Sequence, residues 1–508
     1  MYRNLLLCLT SALLLIFSWP ADGFPFLIFF ALVPLFSIVE NAPNKKQVFL
    51  YAFIVFALWN TGTTYWIYHA SLFGAVAAVV VNSLLMSSVI LLFSVVQSKF
   101  NDRRAWWALI TFWLAFEYLH FNWDLSWPWL TLGNVFAAYP STIQWYEFTG
   151  VLGGSLWVLL FNVVLYHSFK NKRVYRVPLF MLMLPFGFNF FMDAENTDGE
   201  EVTVVVVQPN IDPYIDKFDG LSSLEQLEKF IALAQPELDS TVDYLVGPET
   251  AIVDGLWENK LEYSAEIIRL RELIEQYSQL SIIVGASTIE AYNSIEDISP
   301  TARKFIDSEK YYDVYNSALC ITKDDLSIYH KSKLVQGVEF TPFAFLLDKL
   351  EFLTIDLGGI SGSLGKQEFR EVFYGKANVA PIICYESIFG EYTSEYVRNG
   401  SDLFTIITND GWWKDTPGYK QHLNYASLRA IECRRPIARS ANTGISAFVD
   451  IKGNIHQPTK WDEAIVIKTI LSTNSTITFY VRYGDFIGRL SAFVAVLFIF
   501  FALAKRGN

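Results

Sequence analysis

The sequence has little of what builds a metal centre or a covalent framework. Only four cysteines occur in 508 residues, Cys8, Cys320, Cys384 and Cys433, and no two stand in a C-x-x-C pair. That spacing argues against a zinc site and against a dense disulfide framework. The six histidines are scattered, so no metal and no other cofactor is expected. Clustered positive charge is also missing. The formal net charge is −12 and no basic patch stands out, which leaves nothing for nucleic acid phosphates to pair with.

Apolar residues, by contrast, are abundant. The chain is 52% hydrophobic, with 15 Trp, 26 Tyr and 42 Phe, and its mean hydropathy is +0.29, too apolar for an ordinary soluble enzyme. Seven apolar segments, at roughly 4–19, 24–40, 47–68, 72–96, 105–121, 144–168 and 177–194, each approach the ~20 residues needed to cross a bilayer. An eighth lies at about 484–504. If all eight span, the flanking charges Arg3, Lys45, Lys46, Lys99, Arg103, Arg104, Lys170, Lys172, Arg173, Arg176, Lys505 and Arg506 share one side. The alternate loops carry no Lys or Arg. By the positive-inside rule both termini are then cytoplasmic, and the long soluble stretch faces the periplasm in a bacterium. The first segment also fits a cleaved signal peptide, with Arg3, an apolar core and Ala21-Asp22-Gly23. Removing it would leave the other orientations unchanged.

The 121–142 loop is rich in aromatics, with Trp123, Trp127 and Trp129 beside Pro128. It reads either as an anchor at the headgroup level or as a lipid-lined entrance to a site. Glu117 and Glu147 are isolated carboxylates in apolar runs and stay unassigned.

From about residue 199 strands alternate with helices. Val202–Val207, Tyr244–Val246, Ser281–Val284, Asn316–Thr322, Val379–Ile383 and Leu403–Thr408 read as buried strands. Helical periodicity marks Ser222–Leu238, Lys260–Tyr277 and His422–Arg434. The order predicts an α/β domain over 199–472, between a membrane bundle at 1–198 and a return segment with the last span at 473–508. Residues 289–312 read as an exposed excursion. Residues 341–362, with Phe343, Phe345, Leu346, Leu347, Leu350 and Phe352, read as core or as a membrane-facing surface.

Three strand ends finish on reactive residues. Tyr244–Gly247 runs into Pro248-Glu249-Thr250, Leu326–His330 runs into Lys331, and Val379–Ile383 runs into Cys384. The last is expected to turn sharply into a helix, whose N-terminus would lower the thiol pKa. A carboxylate to take the thiol proton, an ammonium to steady negative charge and a thiol to attack a carbonyl suit acyl transfer.

Residues 199–472 resemble the nitrilase, or carbon–nitrogen hydrolase, superfamily. Its Glu-Lys-Cys triad matches Pro248-Glu249-Thr250, Lys331 with Leu334-Val335 and Glu339-Phe340 behind it, and Ile383-Cys384-Tyr385-Glu386. Further matches are Val207-Gln208-Pro209-Asn210-Ile211, Tyr315-Asn316-Ser317, Thr408-Asn409-Asp410-Gly411-Trp412, Gln421-His422, Arg435-Pro436 and Arg439–Gly444. The full arrangement is similar to the apolipoprotein N-acyltransferase family of bacterial inner membranes. The resemblance implies an α/β four-layer αββα sandwich inserted into an all-α membrane bundle of about eight transmembrane helices. It implies a ping-pong reaction, in which Cys384 takes a fatty acyl chain from a phospholipid and passes it to the N-terminal amine of a diacylglyceryl-apolipoprotein. Glu339, Tyr385, Glu386 and Asn316 would support the triad, with the backbone N–H of Tyr385 as an oxyanion donor.

Two departures accompany the resemblance. Gln336-Gly337-Val338 replaces the family's usual Pro-Phe-Gly, and Phe218 stands where the family often has tryptophan. Phe218, Trp412, Trp413 and Trp129 are candidate substrate contacts, although Trp412 and Trp413 fit an aromatic core equally well. Two other readings stay open: a membrane-tethered amidase in which water resolves the thioester, and a non-catalytic transport or lipoprotein-binding protein.

Overall fold

The computed structural model describes residues 2–19, 21, 23–100, 103–171, 176–190, 192, 199–217, 220–306, 308–342 and 363–504. The chain divides into two compact units, residues 1–193 with 478–508, and residues 194–477.

In the first unit the apolar segments are helical. Among the described residues four helices are long and apolar enough to cross a membrane: Lys45–His69, Leu72–Phe100, Tyr146–Asn171 and Phe486–Ala504. Four of the eight expected segments thus meet both criteria. Tyr2–Ser18 has 17 residues, and the 24–40 segment breaks into Pro25–Leu27, Ile28–Ala31 and Val33–Asn41. Prolines cause that break, because each can open a helix but cannot continue one from within. Arg176–Phe190 has 15 residues and contains Pro185.

Helix Phe486–Ala504 turns Leu490, Phe493, Phe500 and Leu503 outward, an orientation lipid accepts and water does not. Polar groups point inward and pair. His120 Nε2 lies 3.1 Å from Asn82 Oδ1, and Asn82 Nδ2 donates to Asn60 Oδ1 at 2.7 Å. Glu117 Oε1 accepts from the Trp113 indole at 2.9 Å and from the Leu132 N–H at 2.8 Å, pinning the loop after its helix. Trp129, expected at an anchor or an entrance, is 1% exposed. It stacks on Trp127 at 5.5 Å and packs against Trp66 at 4.9 Å. It is core of this unit, because the short 3-10 turns around it fold the loop inward. Gly150 sits at φ +59 within Tyr146–Asn171, and a Cβ there would lie 2.3 Å from the Tyr480 ring.

The second unit holds two sheets. The larger runs β13-β1-β2-β4-β6-β5, with β3 also on β4 and β7 also on β6. Its strands are β1 Glu201–Gln208, β2 Tyr244–Val246, β3 Ile252–Trp257, β4 Ser281–Ala291, β5 Arg303–Lys304, β6 Tyr311–Ile321, β7 Leu326–His330 and β13 Ile465–Ser472. The smaller runs β12-β11-β10-β9-β8, from β8 Val379–Ile383, β9 Leu403–Thr408, β10 Ile437–Ala441, β11 Ala447–Val449 and β12 Ile455–His456. β1, β2 and β4 are parallel neighbours, as are β8, β9 and β10. Parallel strands covered on both faces read as unbroken apolar runs, which is why Val202–Val207 and Val379–Ile383 stand out in the sequence.

Helix Ser223–Ala234 starts at a capping box between Ser222 and Glu225. Its Leu227, Phe230, Ile231 and Ala234 join Val205, Val207, Leu245 and Ile282 in one core, with Ile267, Leu270 and Ile274 of helix Ala265–Gln276. Burying each such side chain contributes roughly 1.5–3 kcal/mol. The sheets are tied together where the Ser440 hydroxyl on β10 donates to the Val207 carbonyl on β1 at 2.8 Å.

The described residues of 289–312 are exposed or half-buried, as expected of an exposed excursion, yet they are tied to the sheet. β4 continues to Ala291, β5 pairs with β6, and buried Asp313 accepts from Thr301 Oγ1 at 3.0 Å and from Ser299 and Tyr292. A carboxylate from the neighbouring strand supplies the order that local periodicity lacked. Of the apolar 341–362 stretch, residues 343–362 lie outside the described residues, and so does Phe218.

Candidate active site

Glu249, Lys331 and Cys384 each follow the end of a strand, where the backbone stops pairing within its sheet. Glu249 follows β2 in a turn whose Thr250 has φ +52. The turn rides on β4, with the Gly285 N–H donating to the Pro248 carbonyl at 3.0 Å. A Cβ at Gly285 would lie 2.4 Å from the Thr250 nitrogen and 2.6 Å from the Glu249 Cα, so glycine is required there for close approach of two backbones.

Lys331 leaves β7, and its N–H donates to the Asn316 carbonyl at 2.8 Å. Its Nζ donates to Glu249 Oε1 and to Glu339 Oε1, both at 2.9 Å, with the side chain 1% exposed. Asn316 Nδ2, on β6, donates to the same two oxygens at 2.8 and 2.9 Å. Glu249 Oε2 accepts from the Asn409 N–H at 3.0 Å. Glu339 Oε2 accepts from the Val335 N–H at 2.7 Å. The turn before Glu339 closes through Gly337, at φ +76, so Gln336-Gly337-Val338 still delivers the glutamate to Lys331.

Burial alone would raise the Glu249 pKa, but the Lys331 ammonium, the Asn316 amide and the Lys217 charge hold it below the usual carboxylate value. Burial would lower that of Lys331, yet the two carboxylates raise it well above its ordinary value. The pair is therefore ionised.

Cys384 is half-buried and adopts φ +50 at the end of β8, a left-handed conformation that costs a non-glycine residue about 1–3 kcal/mol. Two groups fix it. The Ser387 hydroxyl donates to its carbonyl at 2.7 Å, and His422 Nε2 lies 3.2 Å from the same oxygen. His422 Nδ1 is 2.9 Å from Asp410 Oδ1, and Arg439 donates to Asp410 Oδ2 at 2.6 Å. The helix after Cys384 is only a five-residue 3-10 turn, Cys384–Ile388. The thiol pKa is accordingly not lowered as expected. Burial, then the Glu249 carboxylate, push it well above its ordinary value despite the opposing pull of Lys331. Cys384 rests as a thiol beside an ionised carboxylate.

Glu386 is fully buried and ties two strand ends together. Its Oε2 accepts from the Ile383 N–H at 2.8 Å, and its Oε1 from the Ser332 N–H at 2.6 Å and the Tyr329 hydroxyl at 2.7 Å. One carboxylate thus registers the residue before Cys384 with the residue after Lys331. Tyr385 is buried against Phe389, their rings 5.3 Å apart. Trp412 and Trp413 are half-buried. The Trp412 carbonyl accepts from the Tyr214 hydroxyl at 2.6 Å, and the Trp413 ring lies 5.7 Å from that of His422.

The sequence reading missed Gly285 and Lys217, and it gave Asp410 and His422 no role of their own. Gly285 carried a signal, a lone glycine inside an apolar strand. His422 and Asp410 were noticed only as motif members. Lys217 carried none: it is a charged residue in a loop, and only the fold shows that its side chain is 1% exposed.

Two family models match the chain, the apolipoprotein N-acyltransferase N-terminal domain over residues 11–164 and carbon–nitrogen hydrolase over residues 203–476. An apolipoprotein N-acyltransferase of Chlorobaculum tepidum is 30% identical, over 96% of this chain and 94% of that one. One from Geobacter metallireducens is 28% identical, over 95% and 92%. Apolipoprotein N-acyltransferase 1 of Treponema denticola is 24% identical, over 99% and 97%.

Proposed function

This chain belongs to the apolipoprotein N-acyltransferase family, and on that premise we propose how its own residues carry the acyl transfer. The observation that bears most weight is the pairing of Glu249 with Lys331 at 2.9 Å beside a protonated Cys384 held at φ +50.

In the first half-reaction Cys384 Sγ attacks the ester carbonyl carbon of a phospholipid, and Glu249 takes the thiol proton. Lys331 and the Tyr385 N–H stabilise the oxyanion, a role preorganised donors perform well in a water-excluded site. Collapse breaks the C–O bond, Glu249 returns the proton to the departing alkoxide, and a lysophospholipid leaves behind a Cys384 thioester. In the second half-reaction the α-amine of an N-terminal diacylglyceryl-cysteine attacks the thioester. Glu249 takes the amine proton, the C–S bond breaks, and the thiolate recovers its proton as the amide forms. General acid–base help of this kind contributes roughly 10²–10⁴-fold. Trp412 and Trp413, both half-buried and Trp413 beside His422, suit the wall against which the acyl chain lies. The same reading includes a four-layer αββα order in the catalytic unit and eight spans. It puts the chain in a bacterial inner membrane with the catalytic unit on the periplasmic face and both termini cytoplasmic.

Intact-protein mass spectrometry after incubation with phospholipid vesicles tests this reading. A fatty-acyl adduct that requires Cys384 and is discharged by a diacylglyceryl-cysteine peptide is the expected result. An adduct lost equally fast without peptide would mean that water is the acceptor, and no adduct on the native chain would overturn the reading.

A further inference from the structure

Lys217 is a second buried ammonium in the site, and the mechanism above does not use it. Its Nζ donates to the backbone carbonyl of Glu249 at 3.0 Å and has no other hydrogen-bond acceptor among the described residues. The backbone of Lys217 is tied on both sides: its N–H donates to the Asp212 carbonyl at 3.0 Å, and Gln226 Nε2 donates to its carbonyl at 2.7 Å. An ammonium so placed has lost its hydration and gained one neutral acceptor, an arrangement that costs stability unless a charge nearby repays it. Burial pushes its pKa down to about 8, against the opposing pull of the Glu249 carboxylate.

The charge around Cys384 shows what such a cation can do. Two carboxylates, Glu249 and Glu339, share the single ammonium of Lys331, which leaves one negative charge in a dry site. The other charged groups near the sulfur, Asp410 and Arg439, are bonded to each other, and Asp410 also to His422. An uncompensated negative charge beside a thiol opposes its ionisation.

We infer that Lys217 is a positioning residue of the acyl-transfer site, whose ammonium offsets the excess negative charge of the Glu249–Lys331–Glu339 group so that Cys384 ionises when it meets an ester. The inference rests on the acyl-enzyme reading above and assigns that site a fourth charged side chain.

The test separates charge from hydrogen bonding. K217Q keeps a donor for the Glu249 carbonyl and removes the charge, whereas K217R keeps the charge. The rate of Cys384 alkylation by iodoacetamide is followed against pH in the full-length, detergent-solubilised protein, with C384A as the background for the other three cysteines. The alkylation midpoint of K217Q is expected to rise by about one pH unit, and acyl-adduct formation from phosphatidylethanolamine vesicles to slow by roughly tenfold or more. K217R keeps the native midpoint. The double variant K217Q/E339Q, which removes one charge of each sign, returns toward it, and these two carry the comparison if K217Q does not fold. A native midpoint in K217Q, or no recovery in the double variant, overturns the proposal. A native chain that forms no adduct, while K217Q still shifts the midpoint, overturns the acyl-enzyme reading and leaves the role of Lys217 standing.

Discussion

Lys331 and Asn316 donate to the same two oxygens, Oε1 of Glu249 and Oε1 of Glu339, at distances between 2.8 and 2.9 Å. One donor is charged and the other is neutral, so the two carboxylates are held together without a second cation in contact with them. Removing either donor leaves buried acceptors short of a partner, and the cost of an unmet buried group exceeds the net value of the bond.

Asn316→Ala is therefore expected to lower the stability of the catalytic unit by about 1–3 kcal/mol and to slow acyl-adduct formation. Asn316→Asp, which adds a third carboxylate, does so more severely. Urea unfolding and the vesicle acylation assay check both, and an N316D chain that acylates at the native rate would count against this account.

The acid side of the stability profile follows from Glu249 and Asp410. Burial opposes ionisation in both. Lys331 and Asn316 nonetheless hold Glu249 below its ordinary value, and Arg439 and His422 do the same for Asp410. A carboxyl whose folded pKa is depressed adds stability that is complete above its unfolded pKa and disappears as pH falls through the folded one. The urea midpoint should thus change little between pH 7 and about 5 from these groups and drop steeply below about 4. Asp410→Asn strands the buried Arg439 charge; it is expected to cost about 3–5 kcal/mol and to flatten the acid slope. Titrating the urea midpoint of both chains decides the point.

Glu386→Gln replaces an all-acceptor group with one that presents an N–H to other N–H groups. Because Glu386 bonds the Ile383 and Ser332 amides, the loss reaches both the Cys384 and the Lys331 strand ends. A destabilisation of about 2–4 kcal/mol and a fall in both Cys384 alkylation and acylation are expected from urea unfolding and intact mass.

Gly285→Ala puts a methyl group against the Glu249 turn, where backbone atoms lie 2.4 to 2.7 Å from the new Cβ. The turn must move, and a displacement near 1 Å costs on the order of 10²-fold in a positioned reaction. Acylation should fall by that order while alkylation of Cys384, on the other sheet, persists. A parallel loss of both would instead indicate general unfolding.

How far the sequence reaches differs from residue to residue. β1 and β8 were legible because parallel strands buried on both faces leave no polar interruption. The strand ends at Glu249 and Cys384 could be read for the same reason, whereas Lys331 follows β7, a half-buried strand paired antiparallel with β6. Four of the eight expected spans meet length and apolarity together among the described residues; Pro25 and Pro34 break one of the others into short helices, and Tyr2–Ser18 and Arg176–Phe190 have 17 and 15 residues. Hydropathy windows average over such breaks.

The sequence by itself determined where apolar runs end on Glu249, Lys331 and Cys384, since periodicity and residue type are local properties. Only the tertiary structure decided that Asn316 duplicates the bonds of Lys331, that Trp129 is core, and that Lys217 sits buried under Glu249. The direction of the Cys384 pKa also waited on the fold. A local rule assigns a thiol at a helix start a lower value, but burial and a neighbouring carboxylate raise it. Both depend on which residues from distant strands close around the sulfur.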